Sequence, residues 1–223
     1  MSDEPRISYV DPEDVDSEMR PEFERCASYG TPRPESQAIR ANVPAVFWSF
    51  ANTWREVFHT GVCDHNIKEL CRVYVSHSVR CEFCGNQRSI KSRNAGVVED
   101  DYWDLLNFEK ADRYDGRQKA ALRWTETIVW DLEVTDFMWD ELYKHFTEPE
   151  LVELGYFIAT TMGHQRWLRT MNIDHHQVLA RTAASMAPGF ETKEAMEKTK
   201  ASPEYWAKKI TSRGNDGSKT AAE

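Results

Sequence analysis

Residues 66–85, Asn66-Ile67-Lys68-Glu69-Leu70-Cys71-Arg72-Val73-Tyr74-Val75-Ser76-His77-Ser78-Val79-Arg80-Cys81-Glu82-Phe83-Cys84-Gly85, decide how this chain is read. In the first half, Ile67, Leu70, Cys71, Tyr74 and Val75 recur at helical spacing, and Asp64 stands where an N-cap belongs. A break at Ser78-Val79-Arg80 then delivers the chain to Cys81. The reading predicts a helix from there to Asn94-Ala95-Gly96, with Gly96 as a left-handed cap. A Cys-x-x-Cys pair without a secretory signal points to redox chemistry or metal binding more than to a structural staple.

The thiolate is the reactive form of cysteine, so the surroundings of the pair matter most. At a helix start, residues i and i+3 share a face, and the free N–H groups and positive dipole end favour a thiolate. Arg80 precedes the pair and Arg88 lies four residues beyond Cys84, so both cations are candidates to stabilise it. Glu69, twelve residues before Cys81, is a candidate to take or relay a proton if the two helices fold back on each other.

Outward from this stretch the chain reads as helix after helix. Pro44 suits a first turn, followed by Val46, Phe47, Phe50, Ala51, Trp54, Val57 and Phe58 at three and four. Asp100 to Phe108 reads as a short helix, and Gly116 to Leu132 as a longer one with Ala121, Leu122, Thr125, Ile128, Val129 and Leu132 on one face. Asp136 is placed to cap another, to about Phe146. Thr147-Glu148-Pro149-Glu150 has capping-box spacing and opens a helix expected to reach Met171. Asp174 with Gln177 repeats that start signal for a last core helix ending before Pro188-Gly189. No segment alternates with a period of two, so no strand is expected and the fold class is all-α.

The 223 residues suffice for one sizeable core, and 40% apolar content is that of a folding chain. Formal charge is −9, with no basic stripe, which argues against a nucleic-acid partner. The most apolar run, Val43 to Ala51, is too short to span a bilayer, so no membrane partner is expected. An odd number of cysteines and no secretory start fit a reducing cytoplasm. Residues 1–35 hold ten Asp/Glu against four Arg, and five of the nine prolines. That composition reads as an extended, irregular arm over 1–37, wrapping a neighbouring subunit or left as a disordered tail. The core is expected over 38–187, with a polar, Lys/Glu-rich tail over 188–223 that carries Tyr205 and Trp206.

The run Asn66 to Ser76 followed by Cys81-Glu82-Phe83-Cys84 resembles the signature of the carboxymuconolactone decarboxylase / alkylhydroperoxidase D-like superfamily. Glu150 to Met171, with Gln165-Arg166 and then Asn172-Ile173-Asp174, resembles its last core helix. The likeness spans roughly residues 40–175. It implies an alkylhydroperoxidase D-like helical bundle assembled as a homo-oligomer (dimer, trimer or hexamer), with the site near subunit contacts. It also implies a CxxC pair that reduces peroxides or disulfides with help from a glutamate and histidines; no cofactor beyond that redox-active pair is expected. Cys81, Cys84 and Glu69 match the two thiols and the glutamate. The histidines do not carry over: Phe83 and Arg88 stand where they are found in the redox branch. Arginine stays charged and does not shuttle protons near neutral pH, although it suits a carboxylate.

Other residues are candidates of lower specificity. His77, four residues before Cys81, is a candidate to bind substrate or stabilise the thiolate; His59, Cys63, His65 and His77 could also complete a zinc site with the cysteine pair, although the spacing is not that of a zinc finger and no metal is expected. His175-His176 stands at an expected helix start. His164 and Arg166 fall on the long helix where, by the resemblance, the cavity lies, and with Arg88 could receive an acidic substrate. The tryptophans are expected chiefly in the core, a minority in a pocket for an aromatic substrate. Three readings follow. One is a thiol oxidoreductase acting on a small molecule with a thiol or lipoyl-type reductant. Another is a non-redox lyase or decarboxylase on an aromatic or lactone acid. The last is a non-catalytic oligomeric binding protein.

Overall fold

The computed structural model describes residues 5–173, and the elements expected beyond Ile173 lie outside them. Among the described residues the regular elements are all helical. The chain runs through α1 (Arg20–Tyr29), α2 (Pro34–Arg40), α3 (Pro44–Asn52), α4 (His65–Ser78), α5 (Glu82–Gly85), α6 (Ile90–Asn94), α7 (Gly116–Trp130), α8 (Asp136–His145) and α9 (Glu148–Arg169). Short 3₁₀ segments, Glu99–Tyr102 and Leu105–Lys110, stand where one short helix was expected. None of these helices is long and apolar enough to cross a membrane.

α4 is the centre of the bundle, packed against α7 and α9. Asp64 caps it by accepting from the backbone of Asn66 and Ile67. Leu70, Cys71, Val73, Tyr74 and Val75 are all buried on it, and a fully buried Leu or Val side chain contributes roughly 1.5–3 kcal/mol. The same helix also buries Lys68, Glu69, Arg72, Ser76 and His77. Ionised side chains are rarely buried unless paired, so this polar face is where the chemistry concentrates.

α9 opens with the expected capping box, Thr147 with Glu150, and Pro149 in its first turn. Its Glu153 accepts from the buried Lys68 ammonium at 2.6 Å and from the backbone N–H groups of Val62 (2.6 Å) and Cys63 (3.0 Å). One carboxylate thus fixes the turn into α4 and the α4–α9 contact.

Three differences from the sequence reading concern the site. First, the proline-rich acidic segment is not an irregular arm throughout. Pro21 and Pro34 sit in the first turns of α1 and α2, where the missing N–H costs nothing. All of α2 is buried, and Glu35 forms a two-pronged pair with Arg33 (3.2 and 3.0 Å). Val15, Met19, Phe23 and Ala38 pack with Phe47 and Ala51 into a second apolar cluster.

Second, no continuous helix runs from Cys81 to Asn94. α5 is a four-residue turn, and α6 starts anew behind a Ser89 cap. Buried arginines take the carbonyls that would continue the helix. Arg72 donates to Cys84 O and Gln87 O, both at 2.8 Å, and Arg88 donates to Gly85 O at 2.6 Å. Gly96, with φ 93°, does end this stretch in the left-handed region.

Third, α3 continues as a π-helix over Thr53–Thr60. The wider turn brings residues five apart closer to one face. Trp54 Nε1 and His59 Nε2 both reach Thr31 O, at 3.1 and 3.4 Å. Some expected core residues are exposed, among them Val46, Leu132, Trp103 and Trp130.

Candidate functional site

Arg80 takes a left-handed conformation (φ 55°) at the end of α4 and turns the chain sharply. Cys81 is then pinned by its N–H donating to Ser76 O at 3.0 Å, and it stands at the N-cap of α5. Cys84 follows one turn later. Both are buried, neither is in a disulfide, and their sulfurs are in contact at 2.6 Å. So short a turn carries little macrodipole, and the setting of the pair comes from side chains instead.

The cysteines look onto different spaces. Cys81 borders a cleft of about 990 Å³ with Arg6, Arg80 and Arg169 among its lining residues, alongside Glu82 and Phe83. Cys84 borders a narrow interior pocket with Trp54, Arg72, Gln87, Thr161, His164 and Gln165. Burial raises the Cys84 thiol pKa well above the ordinary value; the hydrogen bond and charge of Cys81 push the same way, with Arg72 and Arg40 opposing. Burial likewise raises the other three thiols, Cys63 and Cys71 each to about 12 and Cys26 further.

Glu69 lies wholly buried on α4. It accepts from Arg72 Nε (2.6 Å) and Nη2 (2.9 Å) and from Ser89 N–H (2.9 Å). Burial alone raises its pKa, but the Arg72 charge and these hydrogen bonds hold it below the usual carboxylate value. Through Arg72 the carboxylate is tied to the Cys84 carbonyl. Through Ser89 it is tied to a histidine, since Ser89 Oγ lies 2.7 Å from His65 Nε2. His65 Nδ1 faces Phe58 O at 2.8 Å, which assigns the proton to Nδ1. Arg72 carried a signal in the sequence, because it follows Glu69 by three on one helix face. His65 entered the sequence reading only as a metal ligand.

The remaining predicted residues are placed apart. Arg88 is buried, forked onto Glu99 at 2.9 and 3.0 Å and stacked over Tyr102. It lines neither space that touches the cysteines. Arg166 is on the exposed side of α9 and donates to Val129 O. His164 does reach the Cys84 pocket, and its ring meets Phe50 edge-on. The three groups expected to grip one carboxylate therefore occupy three different surroundings. His77 is buried under Gly85. His59 and His65 stack with ring centroids 5.3 Å apart. Among the described residues no group of three or more His, Cys, Asp or Glu is arranged to hold a metal ion. His175-His176 lies outside them.

Solved structures share this arrangement of helices. The debrominase Bmp8, as a cysteine-to-alanine variant in complex with 2,3,4-tribromopyrrole, superposes with a TM-score of 0.64 at 16% identity, over 80% of this chain and 94% of that one. A protein of unknown function from Agrobacterium tumefaciens, described as a candidate antioxidant defence protein AhpD, gives 0.53 at 19% identity, over 61% of this chain and 94% of that one. The chain has the alkylhydroperoxidase D-like fold. No family model matches the sequence. An uncharacterized protein of Mycobacterium tuberculosis, found in strains CDC 1551 and H37Rv, is 27% identical over 104 residues, 44% of this chain. The alignment spans 34% of the length of that relative.

Proposed function

We propose that the chain is a dithiol-dependent reductase of the alkylhydroperoxidase D-like type. The observation that carries this reading is the pair of unbonded sulfurs 2.6 Å apart, one of them on a large cleft bordered by arginines. Cys81 faces that cleft and is assigned as the attacking thiolate, while burial keeps Cys84 protonated until it is needed. With a peroxide, the Cys81 thiolate attacks the distal oxygen. The O–O bond breaks and the alkoxide takes a proton to leave as the alcohol. Cys84 then attacks the Cys81 sulfenic acid, water leaves, and the disulfide closes. Two electrons pass to the peroxide, and a thiol or lipoyl-type dithiol restores the pair. Disulfide substrates enter by thiol exchange at the same sulfur. Arg6, Arg80 and Arg169 favour an acidic small molecule.

A second substrate class for the same dithiol is a halogenated aromatic, favoured by the likeness to the debrominase. There the two electrons of the dithiol replace a carbon–halogen bond by a carbon–hydrogen bond, releasing halide and the disulfide. Assembly as a homo-oligomer belongs to this proposal, supported by exposed Trp130, Val134, Phe137 and Val152.

The test is a free-thiol count after exposure to a peroxide or a lipoyl-type disulfide. Since burial suppresses Cys26, Cys63 and Cys71 as thiolates, the wild type is expected to lose two thiols per chain. Cys81→Ser is expected to lose none. Equal consumption by wild type, Cys81→Ser and Cys84→Ser overturns the reading.

A further inference from the structure

We propose that the cleft beside Cys81 selects organic acids with an apolar body, and that Arg80 is the residue that makes the selection. This names the substrate class of the dithiol site and, for turnover, rests on that reading; the binding does not.

Arg80 is an unusual residue for its place. Its φ of 55° lies in the left-handed region, which a Cβ makes costly and glycine adopts freely. The corner between α4 and Cys81 therefore asks for glycine, and the arginine side chain serves something other than the turn. That side chain is exposed, borders the cleft next to Cys81, and has no carboxylate partner among the described residues.

Two more arginines reach the same cleft from distant parts of the chain. Arg6 is brought there by its backbone N–H donating to Met171 O at 2.9 Å. Arg169, at the end of α9, donates to Val79 O at 3.2 Å, which holds it beside the Arg80 turn. Neither pairs with a carboxylate among the described residues. Other partly exposed arginines, Arg25, Arg55, Arg113, Arg117 and Arg123, all do. On a chain of net charge −9, three such cations in one place need a reason. Glu82 is the one carboxylate among the residues lining the cleft, so the charge there stays positive. A cleft lined by one sign of charge concentrates ions of the other, and a guanidinium fork matches an acidic head group.

The rest of the lining sets the other half of the ligand. Phe83, Leu168, Met171 and Ile173 border the same cleft, and a small inorganic anion leaves them wet. A volume of about 990 Å³ has room for an apolar body against these side chains while the acid lies on the arginines. Acid and body together orient the ligand and present its reducible group to Cys81.

The experiment is isothermal titration calorimetry of the full chain, with the pair reduced, against 3-phenylpropionate. Its amide, 3-phenylpropionamide, is the control without the charge, and acetate is the control without the body. Saturable binding of 3-phenylpropionate is expected, about tenfold or more tighter than either control. Arg80→Gly is expected to lose about tenfold in affinity, while its Tm equals or exceeds that of wild type because the strain of the corner is relieved. Arg80→Lys, which keeps the charge, is expected to retain most of the affinity. Should Arg80→Gly not fold, Arg80→Asn decides, since asparagine tolerates the left-handed region. Absent or non-saturable binding, equal affinity for either control, or undiminished affinity in the deciding Arg80 variant overturns the proposal. A thiol count on the same wild-type sample separates the two readings. Binding without thiol loss to a peroxide or disulfide keeps this site and removes the dithiol, and thiol loss without binding does the reverse.

Discussion

Glu69 is committed to Arg72 before any substrate arrives. Two hydrogen bonds from that guanidinium and one from Ser89 N–H hold it as a carboxylate, and a group so firmly ionised is a weak base near neutral pH. Its work is to position Arg72, which in turn grips the carbonyls of Cys84 and Gln87. Glu69→Gln leaves Arg72 a buried cation without its partner and is expected to cost about 3–5 kcal/mol in urea unfolding. Adding Arg72→Met is expected to restore part of that loss. A Glu69→Gln protein within about 1 kcal/mol of wild type sinks the argument. Because the folded pKa lies below the ordinary carboxylate value, this contribution is present above about pH 4.5 and is lost as pH falls through the folded value. Glu69, Cys81 and Cys84 were legible in the sequence from their intervals on one short stretch, but Glu69 was read there as a proton carrier and Arg72, three residues on, was passed over. Arg6 and Arg169 were not legible, because they come from the segment before α1 and from α9 and share no spacing with the cysteines.

At the scale of elements, helix starts were readable because their signals are local: Asp64, Pro44 and the Thr147–Glu150 box all act where expected. The break between α5 and α6 was not, because it depends on Arg72, a residue from another helix, capturing carbonyls. The acidic N-terminal stretch misled for a related reason. Its prolines were counted as breakers although two occupy first turns, and Glu22 and Glu35 are partnered by arginines rather than solvated. The turn into α4 offers a sharp test. A Cβ placed on Gly61 would collide with the Glu153 carboxylate, which cannot swing away without releasing Lys68 and the N–H groups of Val62 and Cys63. Gly61→Ala is expected to destabilise by about 1–3 kcal/mol. Combined with Glu153→Gln, the losses are expected to fall short of additive by more than about 0.5 kcal/mol. Strict additivity in thermal unfolding contradicts the contact.

For the whole molecule, the response to acid follows from what is buried rather than from net charge. The formal charge is −9 and the sequence pI about 5.4, so a net-charge argument predicts a gain in stability as pH falls towards 5.4. The buried histidines predict the opposite. Burial, and then the neighbouring His65, lower the His59 pKa to about 3, burial and Arg40 lower His164 to about 4, and burial lowers His65 as well. In the unfolded chain these rings titrate near 6.5. Between about pH 6.5 and 4 the unfolded state therefore binds protons that the native state refuses, and stability falls with pH. Each ring adds a slope of at most about 1.4 kcal/mol per pH unit. Urea unfolding from pH 7.5 to 5 is expected to show this decline, and His59→Gln is expected to flatten it by roughly one proton's share. A flat profile, a rise towards pH 5.4, or an unchanged slope in His59→Gln shows that solvation or net charge governs instead. The choice between buried rings and net charge rests on magnitude. Surface charges act through a Debye length of about 8 Å at physiological salt, whereas His59 and His65 stack inside the fold within 5.3 Å of each other, where screening is weak and a second proton is costlier than the first.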